Sequence, residues 1–436
     1  MLTVSFHTLG CKLNFAETSH LGRQFIGRGF RIVDEGDPAD ICVINTCSVT
    51  ARADRDCRQL IRRALRTSKN SFVVVTGCYA QLEPEAIATI EGVDLVLGAR
   101  EKFDLFDYVG DLEKKLYPHV FVSEIETVDN FGPAYSDPTN ERTRAYLKIQ
   151  DGCDYQCSFC TIPLARGASR SQPVDVCVAQ ARQLASMGYR EITLTGVNVG
   201  DYGRHAGTSL LSLLRELVGI EGVERFRISS IEPNLLTDEL IDFVASNEKM
   251  CKHFHIPLQS GCNEILHKMR RRYTAEQYES LIGRIIERIP DCGIGADVIV
   301  GFPGETDELL EETYRFLSEL PISYLHAFTY SERPDTPAAK LEAQVEPKVR
   351  FKRNEMLRIL GQKKKQAFHT RMIGRIEPVL LERDVEQSLR FGFTSNYVRV
   401  GVSAEITTEN MIVPVEITGV EGGKCVGRII AHEIAA

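Results

Sequence analysis

The sequence predicts an α/β protein in three parts, and three observations support this. Strand-like and helix-like patterns alternate over residues 1 to about 110, alternate again from about 145 to 330, and give way after about 370 to short strands punctuated by Gly and Pro. A chain of 436 residues exceeds one average domain of roughly 150. With 43% hydrophobic and 26% charged residues, it can bury sizeable cores, which excludes wholesale disorder.

Residues 1–115 read as a small doubly wound α/β domain with a mostly parallel sheet. Its strand candidates LTVSFHTLG, DICVINTC, SFVVVTGC and DLVLGA alternate with helical stretches at 15–29, 50–68 and 83–91. Residues 116–143 read as a linker, because Pro, Gly, Asn and charge replace periodicity there. Between 144 and 345, six strand candidates (YLKIQ, EITLTG, RFRISS, KHFHIPL, GADVIVG and YLHAFTY) are separated by helix-length segments, which predicts a partial (β/α)6 barrel with parallel strands. One such helix, TSLLSLLRELVGI, shows Leu at helical spacing, with Thr208 placed to cap it. Residues 346–370 form a basic helical connector, and 371–436 a small β-barrel.

No apolar run approaches the roughly 20 residues that span a bilayer, and the N-terminus lacks a secretory pattern, so a cytoplasmic protein without a membrane partner is expected. Thirteen cysteines in a reducing compartment point to metal or redox chemistry rather than disulfides. The net charge of −8 gives no global attraction for nucleic acid. Basic residues nevertheless cluster at RQLIRRALRTSK, at KMRRR, and across 340–375, where eleven Lys and Arg face three Glu.

The stretch DGCDYQCSFCTIP places Cys153, Cys157 and Cys160 directly after the first barrel strand. Three thiolates in the pattern C-x-x-x-C-x-x-C can hold three irons of a [4Fe–4S] cube and leave the fourth open; structural zinc would want a fourth ligand that the loop does not contain. The spacing resembles the radical S-adenosylmethionine (SAM) superfamily. That resemblance implies SAM chelated at the open iron and cleaved reductively to a 5′-deoxyadenosyl radical, with Asn198, Glu232 and Gln259 as candidate SAM contacts at strand ends.

A second set, Cys11, Cys47 and Cys78, follows three separate apolar strands of the first domain, where ligands sit in open parallel sheets. Taken alone, these are equally well buried thiols or ligands of a further cluster. Cys42, Cys57, Cys177, Cys251, Cys262, Cys292 and Cys425 lack such an arrangement and read mostly as packing residues.

With both sets in view, the chain resembles the methylthiotransferase family end to end, with an N-terminal cluster domain, a radical SAM barrel and a C-terminal RNA-binding TRAM β-barrel. GCKLN looks like the branch acting on N6-threonylcarbamoyladenosine beside the tRNA anticodon. The resemblance implies two [4Fe–4S] clusters, SAM as both methyl and radical source, and methylthiolation of carbon 2 of the adenine. It also implies a tRNA partner and a small electron donor such as flavodoxin or ferredoxin. The alternatives are isopentenyladenosine or a ribosomal-protein side chain as target, or a non-catalytic RNA-binding or electron-transfer role. No catalytic residue beyond the clusters is assigned, and His7, His255 and His369 are not assigned as bases, for want of a partner. Asn396, Tyr397 and Arg399 are the expected RNA contacts of the final barrel, and the Lys/Arg run at 348–365 the expected cationic face.

Overall fold

A computed structural model describes residues 1–430 apart from 68, 111, 115, 129–130 and 137–141. In the first part, β1 (Thr3–Thr8), β2 (Arg31–Val33), β3 (Ile41–Thr46), β4 (Phe72–Gly77), β5 (Leu95–Leu97) and β6 (His119–Phe121) form one parallel sheet in the order β2-β1-β3-β4-β5-β6. Every residue of β3 and β4 is buried because both faces are covered. Val43 and Val74 pack with Leu21 and Phe25 of α1 (Lys12–Gly27), while Ile44 and Val75 pack with Ile61 and Ala64 of α2 (Ala51–Thr67). The two helices therefore lie on opposite faces, and the winding reverses between β1 and β3, which opens a crevice at their carboxyl ends.

The stretch expected as a linker is only partly one. Residues 119–121 supply β6, which pairs with β5, and Ser136 and Ala134 hydrogen-bond to Tyr146 and Lys148 along the edge of the next strand. β6 is short and its three residues are all exposed, so it carries no periodic signal. The remainder of that expectation, at 129–130 and 137–141, lies outside the described residues.

The second part contains all six expected strands, β7 (Ala145–Lys148), β10 (Glu191–Thr195), β11 (Arg225–Ile228), β12 (His253–His255), β13 (Gly293–Val300) and β14 (Tyr324–Thr329), together with a small ladder of β8 (Gln150–Asp151) and β9 (Arg170–Ser171) beside the cysteine loop. Two parallel sheets, β11-β10-β7 and β12-β13-β14, are joined by the bridges Phe226↔Met250 and Ser230↔His255 into one open arc of six strands. Ile192, Leu194, Phe226, Ile228, Phe254, Ile294, Ala296 and Val298 face the outer helices and form the main core. The alternate residues Glu191, Thr193, Arg227, His253, His255, Asp297, Tyr324 and His326 therefore line the lumen. The helix Leu210–Leu217 is capped by Ser209, not Thr208, since the Ser209 side chain accepts from the Ser212 amide.

The third part begins with the 25-residue helix Pro347–Arg371, which packs on β14. A closed five-stranded barrel follows, built from β15 (Ile376–Glu386), β16 (Leu389–Thr394), β17 (Arg399–Ser403), β18 (Ile412–Glu421) and β19 (Lys424–Ile429). It docks on the amino ends of the six strands. Arg225 donates to Phe393 O at 2.7 Å, Arg227 to Ser395 O at 2.9 Å and Thr394 O at 3.1 Å, and Asn396 to Asp291 O at 2.9 Å. A Cβ at Gly293 would lie 2.0 Å from Asn396 O, so this close approach requires glycine.

Candidate active site

Cys11 and Cys47 follow β1 and β3 on either side of the crevice, and Cys78 opens the short helix α3 (Cys78–Leu82) directly after β4. The topology thus brings the three expected thiols to one place. Gly10 lies so close that a Cβ there would sit 3.0 Å from Cys47 Sγ, and the Cys11, Cys47 and Cys78 thiols lie within electrostatic range of one another. Gly77, at φ 100°, makes the sharp exit from β4; a Cβ there would meet Thr46 O at 2.3 Å.

Cys153, Cys157 and Cys160 likewise converge. The Tyr155 amide donates to Cys153 Sγ at 3.4 Å, the Ile162 amide to Cys160 Sγ at 3.5 Å, and Arg271 Nη1 to Cys157 Sγ at 3.0 Å. Donors aimed at sulfur suit thiolates that hold iron. Burial pushes the Cys47, Cys153 and Cys160 thiols up to about 12, so only a bound cation makes these groups anionic at neutral pH. Both donor sets fit a cluster with three protein ligands.

The two sets face each other. Thr161, beside Cys160, donates from Oγ1 to Ser48 O, beside Cys47, at 3.4 Å, and Arg333 bridges Ser48 Oγ at 2.9 Å and Asp54 at 2.5 Å. Behind them is an ion-pair network. Glu17 of α1 binds Lys102 and Lys148 at 2.7 Å each and Arg166 at 2.9 Å, and Arg166 also reaches Asn14 Oδ1 at 2.7 Å and Asp151 at 3.0 Å. Arg166 lies within electrostatic range of Cys11, but burial outweighs its guanidinium and holds the Cys11 thiol above its ordinary value.

The three candidate SAM contacts, Asn198, Glu232 and Gln259, follow the carboxyl ends of β10, β11 and β12. Asn198 is buried, with its Oδ1 accepting from the Glu232 amide at 3.3 Å and its Nδ2 lacking a hydrogen-bond partner among the described residues. An orphaned buried donor of this kind suits a ligand. Glu232 pairs with Arg271, the same residue that donates to Cys157. Gln259 adopts φ 69°, with its amide donating to Asp297 O at 2.7 Å.

Of the RNA contacts expected in the final barrel, Asn396 is the one that burial contradicts. Asn396 is 4% exposed and is used up in the docking contact, and Tyr397 at φ 69° wedges beneath the lumen against His253 (ring centroids 4.7 Å apart) and Phe393 (4.9 Å). The Asn396 side chain is therefore not free to contact RNA, whereas Tyr397 stays partly exposed. Arg399 lies nearer the surface, paired with Asp384 at 3.1 Å and Glu386 at 3.2 Å. Of the basic helix, Arg350 and Arg353 are buried in pairs with Glu332 and Glu305, whereas Lys348, Lys352, Arg358, Lys363 and Lys365 remain exposed.

Sequence reasoning finds no partner for His255, yet one exists. Its Nε2 lies 3.0 Å from Asp297 Oδ2, and His326 Nδ1 lies 3.3 Å from Asp297 Oδ1. Burial would raise the Asp297 carboxyl, but the two imidazoles outweigh it and hold the group well below the usual carboxylate range. Arg166 and Arg271 also escape a reading of the sequence. The one available signal is strand alternation, which puts His255, Asp297 and His326 on the same lumen face.

A parallel barrel arc with three cysteines after its first strand, joined to a doubly wound domain presenting three more, defines a radical SAM protein with a second thiol-bearing module. Residues 147–317 match the Radical SAM superfamily, and residues 3–98 match Uncharacterized protein family UPF0004. The chain is 41% identical over 424 residues to Threonylcarbamoyladenosine tRNA methylthiotransferase MtaB of Bacillus subtilis, covering 94% of this chain and 92% of that one. It is 42% identical to the protein of that name from Aquifex aeolicus, covering 86% and 91%. It is 31% identical to tRNA-2-methylthio-N(6)-dimethylallyladenosine synthase of Syntrophus aciditrophicus, covering 87% and 83%. The chain belongs to the radical SAM methylthiotransferase family. The radical SAM methyltransferase TsrM of Kitasatospora setae shares the fold, with a TM-score of 0.57 at 18% identity over 77% of this chain and 73% of that one.

Proposed function

We propose that the chain methylthiolates carbon 2 of N6-threonylcarbamoyladenosine beside the anticodon of tRNA. It would do so in the cytoplasm, with electrons from a small donor protein such as flavodoxin or ferredoxin. The observation that carries this reading is the juxtaposition of two three-thiol sets through Thr161 and Ser48 at the mouth of one lumen. We assign one [4Fe–4S] cluster to Cys11, Cys47 and Cys78, a second to Cys153, Cys157 and Cys160, and SAM to the side of the barrel bearing Asn198, Glu232 and Gln259. When bound, these groups supply the one-electron chemistry and the methylthio sulfur that an inert aromatic C–H bond requires.

The chain's own residues bind and orient. Arg271 holds Cys157 and Glu232 together, so thiol and SAM side are positioned by one guanidinium. Arg166 and Glu17 fix the first domain against the barrel, and so fix the spacing between the two sets. Tyr397 and Asn396 lie beneath the lumen, where the docked barrel meets the amino ends of the strands. Exposed Arg52, Arg55, Arg62, Arg63 and Arg66 on α2, with Lys363 and Lys365 on the long helix, offer phosphate contacts to an RNA whose target base is flipped outward.

The test is nucleoside mass analysis of tRNA from cells with and without the gene, together with anaerobic reconstitution. Loss of the methylthio form of threonylcarbamoyladenosine supports the reading. Loss of the methylthio form of isopentenyladenosine instead overturns the choice of substrate.

A further inference from the structure

The lumen is rich in cations, and nearly all of them are matched. Arg144 pairs with Glu382 at 2.8 Å, Arg225 and Arg227 pair with Glu191 at 2.6 and 2.8 Å, Lys148 with Glu17 and Asp151, and His255 and His326 with Asp297. Lys12 is different: among the described residues its ammonium makes no ion pair and no hydrogen bond. It occupies the first turn of α1, one residue beyond Cys11, and its ammonium lies within electrostatic range of Arg144, Arg227, Glu191, Tyr397 and His253. Those five come from the start of β7, from β11, β10 and β12, and from the docked barrel, so a point near all of them lies inside the lumen. Lys12 thus reaches from the first domain, beside its thiol set, into the chamber enclosed by the second and third parts.

A half-buried ammonium among arginines that already hold their carboxylates is costly unless an anion joins it. The arc of strands is open between β7 and β14, where Phe328 and His326 are exposed, so a substituent on a flipped base has a route to it. Of the two modified adenosines acted on by the chain's relatives, the threonylcarbamoyl form carries a free carboxylate, whereas the dimethylallyl form is uncharged. We infer that Lys12 receives that carboxylate, and so selects an acidic substituent on the adenine over an apolar one; this rests on the substrate assignment under Proposed function.

The test uses the reconstituted full-length holoenzyme and two synthetic anticodon stem-loops of one sequence, bearing N6-threonylcarbamoyladenosine either as the free acid or as its methyl ester. The wild-type enzyme should prefer the acid by roughly tenfold or more in kcat/KM, the range of a hydrogen bond to a charged group. K12M should bring the ratio close to one, mainly through KM for the acid, and K12R should recover much of it. If K12M turns over neither RNA, the same ratio is read from the binding of the two stem-loops to wild type and K12Q by fluorescence anisotropy. Equal use of acid and ester by the wild type, or the wild-type preference persisting in K12M and K12Q, overturns the inference. A wild-type enzyme that modifies an isopentenyladenosine stem-loop and neither of these two would instead sink the substrate assignment, and the inference with it.

Discussion

Arg166 donates to Glu17 at 2.9 Å across the boundary between the barrel and the first domain, with both side chains buried. This ion pair sits behind the two thiol sets, so the mutual position of the sets depends on it. Glu17→Ala leaves Lys102, Lys148 and Arg166 with only Asp151 to offset them. We expect a loss of about 3–5 kcal/mol in denaturant unfolding, the cost of a buried charge stripped of its partner.

The same network sets an acid limit. Burial raises the Glu17 and Asp151 carboxyls, but Arg166 and the neighbouring lysines outweigh it and hold both below their ordinary values of 4.5 and 3.8. A folded-state pKa depressed in this way contributes stability that is fully present above the unfolded value and lost as pH falls through the folded one. Melting temperature should therefore be steady from neutral pH down to about 5 and fall below about 4. Glu17→Gln should flatten that acid slope.

Iron content separates the two thiol sets. Cys47→Ala should drop anaerobically reconstituted iron from about eight to about four per chain while deoxyadenosine formation from SAM continues. Cys157→Ala should lose a similar share of iron and all deoxyadenosine formation. Retention of that activity in Cys157→Ala would contradict the assignment of the barrel loop.

Arg271→Met removes the donor 3.0 Å from Cys157 Sγ. A thiolate without that hydrogen bond donates more charge to iron, so the midpoint potential of the barrel cluster should become more negative. Redox titration followed by electron paramagnetic resonance reads this directly, and an unchanged potential would count against a role for Arg271 at the sulfur.

Tyr397→Ala should cost about 2–4 kcal/mol, because the ring fills the space beneath the lumen between His253 and Phe393. Arg399→Ala, which breaks pairs with well-exposed carboxylates, should cost no more than about 1 kcal/mol. Lys363→Glu with Lys365→Glu should weaken tRNA binding and lower its salt slope by roughly one for each phosphate that the variant no longer neutralises.

What is legible in the sequence is periodic or closely spaced. The six barrel strands, the four strands of the first sheet that carry apolar runs, and the loop with Cys153, Cys157 and Cys160 all announce themselves locally. So, with the rule that ligands gather beyond strand ends, does the convergence of Cys11, Cys47 and Cys78. β2 and β6 escape such a reading because three residues at a sheet edge contain no period. Asn396 misleads because an Asn in a turn looks alike whether it faces RNA or a second domain; only docking decides, and docking depends on a glycine at 293 that no local pattern connects to it. Glu17 and Arg166 stand 149 positions apart, and Asp297 stands 42 from His255, so no window of sequence contains either pairing.

The turn at 393–397 is the bottom of the reaction vessel as much as it is part of the module expected to grip RNA. A truncation ending before residue 371 would therefore not yield a tidy catalytic core with weaker substrate capture. It would yield a chamber holed at its base, where solvent could quench one-electron chemistry from beneath. Grip and containment are thus inherited together in this chain, and swapping its last module for another RNA-binding fold should fail unless the replacement also brings its own cork.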